Sequence, residues 1–261
     1  MTHPTALRRF GPPGARPLLA LHCALAHGGA WAPLAGALPG VELIAPDLPG
    51  HGDSAAMPEG ADFHELTTGV AAELAARQAP VDLIGHSFGA TVALRLALER
   101  PELVRSLTLV EPVLFAAARG TPAWAECHAK QAAVARLLRQ DPAAAAALFH
   151  AEWGAGLPFA ALPARQREYL TARMPLVVAP GPLLMDDLAG LLRPGGLEGI
   201  GVPVLLAEGG RSPPVVAAIL DTLAARLPDV RRLTVAGAAH MLPLTHPAPL
   251  AQAMQDLLAR A

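Results

Sequence analysis

Short apolar runs recur along the chain, each bounded by Gly, Pro or Asp: Pro17–Leu21, Val41–Ala45, Val81–Ile84, Leu107–Val110, Val202–Ala207 and Val230–Val235. Each has the length of a β-strand, and the segments between most of them carry apolar residues at helical spacing. That alternation predicts an α/β fold, a mostly parallel twisted sheet flanked by helices.

Between Val110 and Val202 the rhythm changes to helical periodicity with no convincing strand. Thr121-Pro122 and Asp141-Pro142 each read as an N-cap followed by Pro in the first turn. Leu162 to Met174 predicts a further amphipathic helix, and the Gly/Pro cluster Ala179–Pro182 with Arg193–Gly201 is expected to return the chain to the sheet. The expected organisation is a core of residues 1–112 and 201–261 with an inserted helical cap over 113–200.

Composition narrows the partners more than the fold. The length of 261 residues suits one large domain. The 52% hydrophobic fraction is inflated by alanine, and Ala143–Ala147 is a strong helix former, not a low-complexity tract. A formal net charge of −2 gives no field that would draw in nucleic acid or an anionic membrane, so the expected partner is a neutral small molecule. Cys23 and Cys127 are too few for a disulfide scaffold and lack zinc-site spacing. No apolar run reaches about 18 residues and none resembles a secretory h-region before Leu18, so a cytoplasmic protein is expected.

Candidate chemistry lies where the Val81–Ile84 strand runs into a helical pattern from Ala90 to Arg100. The junction reads Gly85-His86-Ser87-Phe88-Gly89. A nucleophile on such a strained turn needs glycine two residues to either side so that strand and helix can approach, and the turn leaves the Phe88 amide free to donate to an oxyanion. The chain has only four serines, Ser54, Ser87, Ser106 and Ser212, which makes chance placement a poor explanation. A serine hydroxyl needs a base, and His240, on the Gly/Ala loop after a late strand, is the histidine placed to serve. His246 is expected to cap the last helix, and His27-Gly28-Gly29 to start an early one, with lining of a pocket mouth as the alternative.

These residues resemble the α/β-hydrolase fold over nearly the whole chain. Beside the Ser87 elbow, Ala45-Pro46-Asp47-Leu48-Pro49-Gly50-His51-Gly52-Asp53-Ser54 is similar to the family's loop after its fourth strand, and Gly237-Ala238-Ala239-His240-Met241 to its histidine segment. The resemblance implies a Ser/His/acid triad, and the acid departs from the commonest pattern. Where an aspartate is usual, the chain reads Gly209-Gly210-Arg211-Ser212-Pro213. Some members carry the acid one strand earlier, which points to Glu111 in Glu111-Pro112; Glu208 and the cap residues Asp186 and Asp187 are the alternatives.

The resemblance also implies that the second oxyanion donor is the amide of Ala24 in His22-Cys23-Ala24, with Cys23 in place of glycine. His22 and His51 are expected to be structural. The implied activity is hydrolysis of a small, largely apolar carboxylic ester or thioester through an acyl-enzyme, with no metal or organic cofactor. Cleavage of a carbon–carbon bond in a diketone-type substrate and ligand binding without turnover are the competing readings. Trp124, Phe149, Trp153, Phe159, Met174 and Leu184 are candidates for either pocket lining or core.

Overall fold

A computed structural model describes residues 3–261. Its seven strands are β1 (Leu7–Phe10), β2 (Arg16–Leu21), β3 (Val41–Pro46), β4 (Val81–His86), β5 (Val104–Val110), β6 (Val204–Gly209) and β7 (Val230–Val235). They form one sheet in the order β1-β3-β2-β4-β5-β6-β7, with β1 antiparallel to β3 and every other pair parallel. The six runs expected from the sequence are β2 to β7. The edge strand β1 was not expected.

The helices are α1 (Ala32–Ala37), α2 (Phe63–Ala76), α3 (Phe88–Glu99), α4 (Pro122–Leu138), α5 (Pro142–Trp153), α6 (Ala164–Val178), α7 (Gly181–Asp186), α8 (Pro214–Ala224), α9 (Leu242–Thr245) and α10 (Pro247–Leu258). Alternate residues of each central strand feed opposite faces, because side chains alternate with a period of two. Leu18, Ala20, Leu43, Ala45, Leu205 and Ala207 pack with Leu34, Leu250 and Met254 on one side of the sheet. Leu19, Leu21, Ile44, Leu83, Leu107, Val204 and Leu206 pack with Val92, Leu96 and Ile219 on the other. Strands apolar on both faces are the mark of a parallel sheet covered twice.

Between β5 and β6 the chain forms α4 to α7. Thr121 Oγ1 accepts from the Trp124 amide, and Asp141 Oδ1 from the amides of Ala143 and Ala144, so both expected caps form. The Ala179–Pro182 cluster does not lead back to the sheet. Instead Gly181 opens α7, which ends at Asp187 in a left-handed conformation (φ 53°). Among the described residues no helix is long and apolar enough to cross a membrane.

Candidate active site

The sheet order reverses direction at β2 and β4, and the crevice beyond the carboxyl ends of such strands is where α/β folds place their sites. Register brings the candidates together there. Leu21 pairs with Gly85 and His86 with Val110, so the residues that follow β2, β4 and β5 emerge side by side. The Ser87 amide donates to Val110 O and the Glu111 amide to Ala207 O, both at 2.9 Å.

Ser87 occupies φ 56°, ψ −117° at the N-terminus of α3. Its glycines are sterically required: a Cβ on Gly85 would lie 2.2 Å from Gly89 O, and one on Gly89 2.3 Å from Leu21 O. Four described non-glycine residues have positive φ, and three of them, Leu25, Ser87 and Glu111, sit at these strand ends. Such strain persists only where surrounding structure over-determines it, and it gathers at functional sites.

Glu111 is fully buried and His240 is 3% exposed. Glu111 Oε2 lies 2.6 Å from His240 Nδ1, and its Oε1 accepts the Gly209 amide at 2.7 Å and the Ser212 hydroxyl. Burial pushes the Glu111 carboxyl up, but the bond and charge of His240, with Ser212 and Gly209, outweigh it and hold the carboxyl below its ordinary value. Ser212, standing where the family more commonly has an aspartate, is therefore a hydrogen-bond donor to Glu111. Nothing in the sequence pattern pointed to that role.

The alternatives have other work. Glu208 pairs with Arg232 at 2.8 Å and accepts from Thr234 Oγ1. Asp186 pairs with Arg119, and Asp187 accepts the amides of Leu191 and Leu192.

His86, also missed in the sequence, ties the elbow to the histidine loop. Its Nε2 donates to the His240 carbonyl at 2.8 Å. Burial first, and His240 second, lower its pKa to about 3, so the ring is neutral at pH 7. Phe88, first residue of α3, has no carbonyl acceptor within the helix for its amide. Cys23 is buried and its thiol is pushed up to about 12, so it offers no thiolate.

A cleft of about 550 Å³ adjoins these residues, walled by Ala24 and Leu25 from the β2 loop, Met241 beside His240, and Phe149, Trp153 and Tyr169 from the insertion. The Trp153 ring meets His240 edge to face at 4.6 Å. Of the six apolar candidates only Phe149 and Trp153 line the cleft. Met174 packs with Val134, Ala145 and Ala146 inside the insertion, with Phe159 against them, and Leu184 and Trp124 join the main core. His27 starts a short helical turn as expected, accepting from the Gly29 amide. His246 stands at the N-cap of α10, but its ring bonds Thr245 Oγ1 and caps no amide.

Residues 18–253 match the family model described as alpha/beta hydrolase family. Lipase LipV of Mycobacterium tuberculosis is 39% identical over 111 residues, a match spanning 41% of this chain and 41% of that protein. The pimeloyl-[acyl-carrier protein] methyl ester esterase of Xanthomonas campestris is 31% identical over 255 residues, 93% of this chain and 94% of that protein. Among solved structures, the enol-lactonase of Burkholderia xenovorans superposes with a TM-score of 0.75 at 22% identity, covering 98% of this chain and 96% of that one. An esterase of Exiguobacterium antarcticum gives 0.73 at 18% identity, covering 98% and 95%.

Proposed function

Because the chain belongs to the alpha/beta hydrolase family, we propose that it is a serine esterase, hydrolysing small, largely apolar carboxylic esters or thioesters through an acyl-enzyme. The observation that carries this reading is the buried Glu111–His240 pair, 2.6 Å apart, at the strand tip beside the Ser87 elbow. Ester-cleaving relatives that match the chain in part or end to end support the bond class.

The chemistry follows from proton placement. The Glu111 carboxylate can only accept, so Nδ1 of His240 carries the proton and Nε2 is left as the base. His240 Nε2 takes the Ser87 hydroxyl proton as Oγ attacks the carbonyl carbon. The amides of Ala24 and Phe88, aided by the positive end of α3, stabilise the tetrahedral oxyanion. Collapse expels the alcohol or thiol with the proton from His240. Water, deprotonated by the same nitrogen, then releases the carboxylic acid and regenerates Ser87. Fixed Glu111 orients the imidazole and balances the charge it acquires.

The cleft, lined by Ala, Leu, Phe and Trp with polar groups near its rim, suits an acyl chain, and its volume falls within the usual range of about 300–1,000 Å³ for ligand pockets. Fluorophosphonate labelling, combined with a panel of p-nitrophenyl esters of graded acyl length, tests the proposal. Labelling at Ser87 and turnover that peaks at one chain length are expected. A folded protein that neither labels nor turns over any ester is no serine esterase, and turnover of a vinylogous diketone alone would reassign the bond cleaved.

A further inference from the structure

Besides His86, two buried histidines outside the proposed triad lie at the carboxyl end of the sheet, and both hold backbone. His22 and His51 are 1% and 0% exposed, their rings meeting edge to face at 5.3 Å. The Nδ1 of each faces a carbonyl oxygen, that of Cys23 at 2.7 Å and that of Pro49 at 3.0 Å. A carbonyl only accepts, so each ring carries its proton on Nδ1 and offers Nε2 as an acceptor.

Those acceptors are crossed between two loops. His22, on the loop after β2, takes the amide of Leu48 after β3 at 2.9 Å, and His51, after β3, takes the amide of Leu25 after β2 at 3.2 Å. The insertion adds a third tie. The Tyr169 hydroxyl donates to Ala26 O and accepts from the Gly52 amide, both at 3.2 Å. Arg173, one turn further along α6, donates to Gly50 O at 3.1 Å.

These contacts surround Leu25, which is held at φ 65° immediately after Ala24. The His51 ring also stacks on Phe63, centroids 5.7 Å apart, and Phe63 lies flat on Phe88 at 4.5 Å. One imidazole thus bears on both residues whose amides would meet the oxyanion, directly through the Leu25 amide and through a stacked ring.

We propose that His51 and Tyr169 are positioning residues for the oxyanion hole, locking Leu25 and Ala26 so that the Ala24 amide is aimed before substrate arrives. The proposal rests on the serine-esterase reading and adds to it a link between the oxyanion loop and the seating of α6. A donor helps only where the oxyanion forms, so a loosened loop lowers turnover and leaves ground-state binding nearly unchanged.

The test is steady-state hydrolysis of p-nitrophenyl butyrate, with inhibition by an aryl trifluoromethyl ketone whose hemiketal oxyanion uses the same donors. Wild type, His51→Leu, His51→Gln and Tyr169→Phe are compared, each with its melting curve. A misplacement of about 1 Å costs about 10²-fold, so kcat should fall about 10- to 100-fold in His51→Leu and about 3- to 10-fold in Tyr169→Phe, with KM within about twofold. Ketone affinity should weaken in step. His51→Gln, whose side-chain carbonyl can accept the Leu25 amide, should recover much of the loss.

Variants that keep kcat and ketone affinity within about twofold of wild type, or whose losses fall on KM, overturn the proposal. Tyr169→Phe keeps the ring and decides the question even where His51→Leu fails to fold. An active wild type with unaffected variants removes only this proposal. An inert, unlabelled wild type removes both it and the esterase reading.

Discussion

At the carboxyl edge of the sheet the polar side chains around Ser87 have fixed, buried partners, whereas the polar side chains of the helices above pair nearer the surface, and those helices rest on apolar contacts with the main core and a small cluster of their own. Below, Glu111 takes His240, Ser212 and Gly209, and His86 holds the His240 carbonyl. Above, Lys130 sits between Glu126 and Glu152, Arg119 pairs with Asp186, and the insertion's own cluster rests on Val134, Ala145, Ala146 and Met174. Exposed pairs contribute about 0–1 kcal/mol each, while a buried network that loses one member leaves others unsatisfied. On the serine-esterase reading, the lower layer would fix atoms for bond-making and the upper layer would shape what fits. Damage below should appear in kcat, and damage above in KM and chain-length preference, with Tyr169 the exception because its hydroxyl is tied to the loops below.

Ser87→Ala is the largest break of that contrast: kcat should fall about 10⁴-fold or more with the melting temperature unchanged, since the hydroxyl contributes chemistry and little packing. Retention of a tenth of the activity in purified, folded protein would end the case for Ser87 as nucleophile.

Glu111→Gln comes next. Loss of the anion that orients His240 should lower kcat by about 10²- to 10⁴-fold. Glu208→Gln, which disturbs only the Arg232 and Thr234 contacts, should cost far less. Equal losses in the two variants would contradict the assignment of the acid.

Acid stability extends the comparison to folding, because the buried histidines His22, His51 and His86 belong to the lower layer and His64, on α2, meets Phe88 edge to face at the start of α3. Burial holds His51 and His64 at about 4, His86 at about 3, and His22 well below its ordinary value. The unfolded chain binds those protons near pH 6.5 and the folded chain does not. Their contribution is therefore complete above about pH 6.5 and is lost as pH falls toward 4. Urea unfolding at a series of pH values should show stability declining from pH 6.5 downward. A flat profile to pH 5 would refute the neutral, proton-excluding state of these rings.

Phe149→Ala, on the cleft wall, should have the smallest effect. It is expected to raise KM for the preferred ester about 3- to 10-fold and shift preference to a longer acyl chain, with kcat nearly unchanged. A loss confined to kcat would place Phe149 with the lower layer.

The strands and the elbow were legible because parallel strands buried on both faces are written as continuous apolar runs, and because Gly85 and Gly89 leave no room for side chains. Strand β1 was not, since Leu7–Phe10 alternates half-buried and exposed residues and gains its identity from pairing with β3. The pairing of Glu111 with His240 could be anticipated from its place after β5, but the Ser212 hydroxyl bonded to Glu111 could not, because that contact joins loops 101 residues apart. Helical spacing marked Phe149, Trp153, Met174 and Phe159 as apolar without saying which side of the insertion each would face. The crossed ties of His22 and His51 depend on register between adjacent strands, which a single sequence does not spell out.

Tyr169 is the only tyrosine in the chain, and its phenol lies in the seam between α6 and the two loops. The unaltered protein therefore carries a built-in optical gauge at that seam. Ultraviolet difference absorption from this one phenol, read beside the tryptophan bands, reports whether α6 is seated. Stopped-flow mixing with substrate would then show whether the seam stays closed while product forms, with no dye and no engineered label.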